Sequence, residues 1–351
     1  MLFSEVERGT LAPITPWEDP AWRAEVEAWI RTTLADLGLT AARDGWRARI
    51  RRWSVLCRVP LVGTSTATTG EREPEPESEP EPVWFKANPE PSRFEAAISW
   101  YLGQHHPEHV LTPLAVDVER GWTLLPHGGQ ILRDGLAARE SASASLSASV
   151  EDCIPVVQQY AQFQRAVSTD HVLALGVPHL SVNTLPETIK QIEAAGQSLS
   201  ATDRALLDAR LPDFTTWCHE LAATGVPDAL DHADLHAGQV FAPTTTTTTT
   251  TTRYRFCDWG DAAVTHPFTS MLAPTRAVRR IGANTKDVAR LHDAYLEPWT
   301  AEYDRAALAE MLTLACRVEA VARILVWNRV FPGNPGGSPG WAAELAEAAD
   351  Y

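Results

Sequence analysis

Two short stretches, His232 to Phe241 (HADLHAGQVF) and Phe256 to Asp261 (FCDWGD), constrain what this chain can fold into more than any other feature of it. The first runs into a strand-like piece, Gln239 to Ala242, and the second ends another, Tyr254 to Asp258. Nine consecutive threonines, Thr244 to Thr252, join the two pieces as a tolerated hairpin-tip expansion. A loop and an adjacent strand end tied together this way aim their side chains at one place. What they aim is two carboxylates, Asp234 and Asp258, and an amide, Gln239, five positions after Asp234. Phosphoryl transfer needs such a set: a carboxylate to orient and deprotonate a hydroxyl, hard oxygen ligands for Mg²⁺, and elsewhere a cation for the phosphates.

Composition narrows the classes. At 351 residues the chain exceeds one ordinary core, so two lobes are expected. The net charge of −15 is partly local, because Glu71 to Pro82 holds six Glu and one Arg. The rest of the chain is still acidic, which disfavours nucleic acid and anionic membrane as partners and suits a cationic acceptor. Cys57, Cys153, Cys218, Cys257 and Cys316 lie far apart with no metal-like spacing, so they read as reduced thiols in a cytoplasmic protein. No run of eighteen apolar residues occurs, and the start, MLFSEVERGT, lacks the apolar stretch of a signal peptide.

Periodicity places the elements. Asp19-Pro20 opens a helix carrying Trp22, Val26, Trp29, Ile30, Leu34 and Leu37 at helical spacing, and Gly38 closes it. Strand-like runs follow at Trp46 to Arg51, Trp53 to Val62 and Val83 to Ala87, the last two separated by a Thr/Glu/Pro loop, Gly63 to Pro82. A helix is expected from Ser92 to Gln104, then apolar stretches Val110 to Val116 and Trp122 to Pro126. After His127-Gly128-Gly129 comes a Ser/Ala tract, Ser141 to Ser149, and then mostly helices. These are Val150 to Val167, Leu185 to Ala195, Thr202 to Ala223, Lys286 to Trp299, Asp304 to Arg329 and Gly340 to Ala349, interrupted by one strand pair. Strands first and helices afterwards indicate an α+β fold in two lobes. The first is a small β-rich N-lobe over 1–126, the second a mostly helical C-lobe over 127–351.

With these motifs in order, the sequence resembles the aminoglycoside phosphotransferase family, also called the phosphotransferase enzyme family, and more distantly the choline kinases. That family's signature, H-G-D-L-H-x-x-N followed by a strand ending D-W/F-G, stands here as HADLHAGQ and CDWG. The similarity in motif order extends from about Trp53 to Pro267. The resemblance implies a protein-kinase-like fold and transfer of the γ-phosphoryl group of ATP or GTP, with Mg²⁺, to a hydroxyl of a small molecule. An aminoglycoside or amino-sugar acceptor is favoured; choline, homoserine and methylthioribose are acceptors of related folds. It assigns Asp234 as catalytic base, Gln239 and Asp258 as magnesium ligands, and His232 and His236 as braces of the loop.

Upstream, Lys86 in the strand Val83-Trp84-Phe85-Lys86 matches the lysine that pairs nucleotide phosphates, and Glu95 is its expected ion-pair partner. Ser92-x-x-Glu95 is also a capping box, which would give Glu95 a purely local role. Ser54, in a turn without the glycine signature, is a hydrogen-bond donor to the β-phosphate or a plain turn residue. His127 and Gly128 resemble a hinge whose backbone contacts the base, and a tight inter-lobe turn would need the same glycines. The chain also departs from the family. Gln239 replaces Asn, and Thr265-His266-Pro267-Phe268 stands where an aspartate is frequent near the proline. Asp261 is left to a metal, bracing or capping role. Asp293, Glu297, Glu302, Asp304 and Glu319 either line a pocket for a cationic acceptor or are scattered solvated charges. A catalytically silent nucleotide-binding module is the alternative of a different class.

Overall fold

A computed structural model describes residues 5–8, 16–51, 53–63, 80–142, 149–194, 201–243 and 253–330. Most of the Glu-Pro loop, the Ser/Ala tract beyond Ala142, the threonine run and the helix expected at Gly340 to Ala349 lie outside them. The chain divides into two compact units: Met1–Pro107 with Leu111–Gly128, and Glu108–Val110 with Gly129–Tyr351. Among the described residues no helix is long and apolar enough to cross a membrane.

The first unit contains β1 (Glu5–Arg8), α1 (Pro20–Asp36), β2 (Arg47–Ile50), β3 (Val55–Val59), β4 (Val83–Ala87), α2 (Phe94–His105), β5 (Ala115–Asp117) and β6 (Trp122–Leu125). Its sheet runs in the order β1-β2-β3-β4-β6-β5, with β1 parallel to β2 and the other pairs antiparallel. α1 starts as its sequence dictates: the Asp19 carboxylate accepts from Ala21 N–H at 2.8 Å and Pro20 occupies the first turn. It ends at Gly38, whose φ of +72° only glycine takes at no cost. The apolar stripe Val26, Ile30 and Leu34 is fully buried against the sheet, while Leu37 points to solvent.

Alternation along β4 gives it two faces. Val83, Phe85 and Ala87 are buried in the cluster that includes α1, where Trp22, Trp29, Phe85 and Trp122 meet at ring distances of 5.7 to 6.5 Å. Lys86 is out of phase with them and meets α2 instead. α2 corrects the capping-box reading. A 3-10 turn over Glu90–Ser92 precedes it, its N-cap is Arg93, and no side chain caps it. The turn's own carbonyls already take the early amides (Arg93 N–H to Glu90 O, Ala96 N–H to Arg93 O), so Ser92 has no capping work left.

The second unit holds α3 (Leu132–Ala142), α4 (Val150–Ala166), α5 (Thr169–Ala174), α6 (Leu185–Ala194), α7 (Ala201–Ala223), β7 (Ala229–Asp231), β8 (Val240–Phe241), β9 (Arg255–Phe256), β10 (Ala263–Thr265), α8 (Leu272–Arg280), α9 (Thr285–Leu296) and α10 (Arg305–Val330). β8 pairs antiparallel with β9, as the hairpin reading expects. A second pair, β7 with β10, is a correction to the single pair expected. Three-residue strands carry no readable period, and these two exist only because Asp231 finds Ala263 across the fold. α3, α5 and α8 were likewise not expected. Gly135 and Pro274 interrupt two of them, and α5 spans only six residues.

A buried polar hub joins α4, α9, β7 and the turn after β10. Tyr295 hydroxyl lies 2.6 Å from Gln164 Oε1 and 2.7 Å from the Pro267 carbonyl. Gln164 Nε2 donates to the Leu230 carbonyl at 2.8 Å. Interior polar groups this well partnered fix one packing register, here the register of β7, the strand that leads directly into the His232 motif.

Candidate active site

β7 delivers the chain into the loop through a sharp reversal. Ala233 has φ +61°, left-handed backbone that costs an alanine about 1–2 kcal/mol. Asp231, 1% exposed, lies beneath it. One carboxylate oxygen accepts from Ala233 N–H at 2.8 Å and Ser270 hydroxyl at 2.7 Å, the other from Thr269 hydroxyl at 2.8 Å. On the far side of the same residue, Arg323 of α10 donates to the Ala233 carbonyl at 2.7 Å.

Asp234 is the next residue, partly exposed. Arg323 stands 3.7 Å from its Oδ1, His236 Nε2 3.3 Å from its Oδ2, and the Gln239 amide nitrogen 3.5 Å from Oδ2. His236 Nδ1 accepts from Gly238 N–H at 2.9 Å, so its proton resides on Nε2 and faces the carboxylate. Burial works to raise the Asp234 pKa, but the His236 hydrogen bond and the charges of His236, Arg323 and His232 prevail and hold it below the ordinary value. His232 Nε2 donates to the Cys257 carbonyl at 2.8 Å and its ring packs, tilted, 4.6 Å from Trp259, tying the loop to the second motif.

That motif is also strained. Asp258 has φ +70° and ψ +64°, left-handed for a non-glycine residue at the end of the hairpin. Cys257 N–H donates to the Gln239 carbonyl at 3.0 Å, fixing the Asp258 strand end beside the amide residue. Arg329 of α10 holds the following turn by donating to the Gly260 carbonyl at 2.9 Å. Asp261 is pushed up to about 6, by burial first and then by the charges of Asp258 and Asp234, against the pull of Arg329 and Arg323. Asp261 thus feels the like charges of Asp258 and Asp234, and hard carboxylate oxygens are the donors that a divalent cation takes. Among the described residues no three His, Cys, Asp or Glu side chains can hold a metal ion by themselves.

In the first unit, Lys86 Nζ lies 2.7 Å from Glu95 Oε1, their side chains 12% and 6% exposed. Asn88 donates its amide to the other Glu95 oxygen and to the Ser92 carbonyl. Glu95 is thus an ion-pair partner, and the helix start is left to the 3-10 turn. The Ser54 carbonyl accepts from Arg51 N–H at 2.8 Å, between β2 and β3. His127 is half-buried and Gly128 buried, at the point where the first unit ends. The acidic residues considered for a cation pocket are otherwise engaged. Arg305 pairs with Asp293 and Glu297, Arg165 with Glu302, Asp304 caps α10, and Glu319 is buried.

Sequence reasoning did not find Asp231, Asn88, Arg323 or Arg329. Asp231 abuts His232 in sequence, so adjacency was a usable signal. The two arginines lie about ninety and seventy residues from the loops they hold, and nothing local marks them.

No family model matches the sequence, and no curated protein matches it. Solved structures do match in fold. A choline/ethanolamine kinase family protein from Mesorhizobium loti superposes with a TM-score of 0.55 at 11% identity, over 92% of this chain and 92% of that one. A GDP complex of aminoglycoside 2'-phosphotransferase-IIIa gives 0.54 at 15%, over 93% and 97%. Macrolide 2'-phosphotransferase MphH from Brachybacterium faecium gives 0.52 at 14%, over 91% and 97%. The chain has the α+β, protein-kinase-like fold of these phosphotransferases.

Proposed function

We propose that this chain is a cytoplasmic small-molecule kinase, moving the γ-phosphoryl group of ATP or GTP to a hydroxyl of an aminoglycoside or amino-sugar-like acceptor. The observation that supports this most is the gathering of Asp234, Asp258 and Asp261 on two loops tied by the His232–Cys257 hydrogen bond, in a fold shared with phosphotransferases. In this reading 1–126 binds the nucleotide and 127–351 carries the catalytic loop and the acceptor.

Asp234, whose pKa is held below the ordinary carboxylate value, is a weak base, so its main task is to orient the acceptor hydroxyl. It takes the proton late, as the new oxygen–phosphorus bond forms, which suits a loose transition state. His236 keeps the carboxylate turned toward the acceptor. Asp258 and the Gln239 amide oxygen would hold Mg²⁺, which when bound neutralises charge on the β- and γ-phosphates. Gln239 can do this because its amide nitrogen already takes the Asp234 side. Lys86, held by Glu95 and Asn88, is assigned the α- and β-phosphates; Ser54 is assigned a phosphate contact, and the His127–Gly128 backbone the base.

The test is release of ADP or GDP from purified protein with MgATP or MgGTP across aminoglycosides, other amino sugars, amino alcohols and nucleosides. Asp234→Asn should lower kcat by about 10²–10⁴-fold while leaving Mg-nucleotide binding intact. Full turnover in that variant would rule out the assignment. Nucleotide binding without release on any acceptor would favour the silent module instead.

A further inference from the structure

The loop that carries Asp234 is held in its working shape by two side chains with no assigned role, and the reason lies in Ala233. Its left-handed backbone is tolerated by glycine but not by alanine, and an alanine there would by itself relax to a right-handed or extended conformation. Relaxation would swing both flanking peptides and carry Asp234 away from His236 and Gln239. Something must oppose that, and the structure shows what grips each side of the residue. Asp231 takes the Ala233 N–H and Arg323 donates to the Ala233 carbonyl, at 2.8 and 2.7 Å.

Both grips are charge-assisted and well supported. Asp231 is 1% exposed and immobilised by Ser270 and Thr269. Arg323 projects from α10, whose neighbouring residues Val321 and Ala322 are buried, so its backbone is fixed by the core. The same guanidinium reaches 3.7 Å from Asp234 Oδ1, which adds attraction between the loop's own carboxylate and the clamp.

We propose that Asp231 and Arg323 are positioning residues: together they clamp Ala233 in its left-handed conformation and thereby set the direction of the Asp234 carboxylate. The catalytic consequence rests on the phosphotransferase reading; the clamp itself does not. Releasing one grip lets the strain of a left-handed alanine act, which shifts the loop population by roughly 5- to 30-fold. Glycine at 233 carries no such strain, so it should make the clamp largely dispensable.

The experiment compares wild type, Arg323→Ala, Arg323→Lys and Asp231→Asn, each with and without Ala233→Gly. Hydrogen–deuterium exchange of the free protein over residues 229–240 is read beside phosphate release from MgATP with water as acceptor. Arg323→Ala is expected to raise exchange in that segment by about 5- to 30-fold, leaving α4 and α9 unchanged, and to lower kcat by a similar factor with KM for MgATP unmoved. Arg323→Lys should retain part of the effect, and Ala233→Gly should return both readouts toward wild type. Exchange that stays at the wild-type level in Arg323→Ala and Arg323→Lys, or a loss that Ala233→Gly fails to recover, overturns the clamp. If Asp231→Asn does not fold, the two arginine variants decide. Wild-type protein that releases no phosphate counts against the phosphotransferase reading alone, because exchange still decides on the clamp.

Discussion

Replacing Lys86 by Met should cost the first unit about 3–5 kcal/mol, far more than an exposed lysine would. The magnitude follows from the geometry. At 2.7 Å and an effective dielectric of about 20 the pair attracts by roughly 6 kcal/mol gross, and both groups have already lost most of their water. Removing only the cation leaves the Glu95 carboxylate desolvated beside Asn88, so the cost of its burial is no longer offset. Urea unfolding followed by tryptophan emission suits the measurement, since Trp17, Trp22, Trp29 and Trp122 meet in this unit. With a slope of about 2 kcal/mol per molar, a 3 kcal/mol loss lowers the midpoint by roughly 1.5 M. The double variant Lys86→Met/Glu95→Leu should recover to within about 1–2 kcal/mol of wild type, because an apolar pair avoids the desolvation both ions bear. A single-variant loss below about 1 kcal/mol would refute the reasoning, as would a double variant no better than the single.

The remaining predictions concern the second unit. His266 is buried and its pKa is lowered to about 3, because burial disfavours the charged ring. The unfolded chain binds a proton below about 6.5 and the folded chain does not, so this contribution is fully present above pH 6.5 and is lost as pH falls toward 3. His266→Asn, which can still accept the Phe268 amide, should flatten the pH dependence of the unfolding free energy by up to about 1.4 kcal/mol per pH unit between 4.5 and 6, read by urea titration. Tyr295→Phe deletes the hydroxyl that faces Gln164 and the Pro267 carbonyl, and should cost about 1–3 kcal/mol by urea titration. A change under 0.5 kcal/mol would mean the hub is not tightly satisfied.

How much of this was legible depends on distance along the chain. α1 was readable residue by residue, because its cap, proline, apolar stripe and closing glycine act within one segment. β4 was readable because Trp84-Phe85-Lys86 alternates, and Lys86 could be matched to Glu95 only nine residues away. For Glu95 the sequence left an ion pair and a cap side by side, because two local interactions compete for it and propensity cannot rank a cap against a buried cation. β7 and β10 were illegible because each is three residues long and is stabilised only by the other. The acidic residues of the C-terminal helices could be read in sequence as a pocket lining or as scattered charges, and only in space does Arg305 pair with two of them.

The amino-acid sequence alone determined which chemical groups are available and in what order: a lysine on a strand, a loop with a base and an amide, a strand ending in Asp258. Those groups belong to contiguous segments whose local geometry is set by neighbours. The tertiary structure alone decided what holds them. Arg323 and Arg329 reach the two loops from a helix some seventy to ninety residues on, and Asp231 is anchored by hydroxyls of a turn nearly forty residues later. A left-handed alanine beside a buried carboxylate persists only when groups from separate segments oppose its strain together, and no local pattern encodes that meeting.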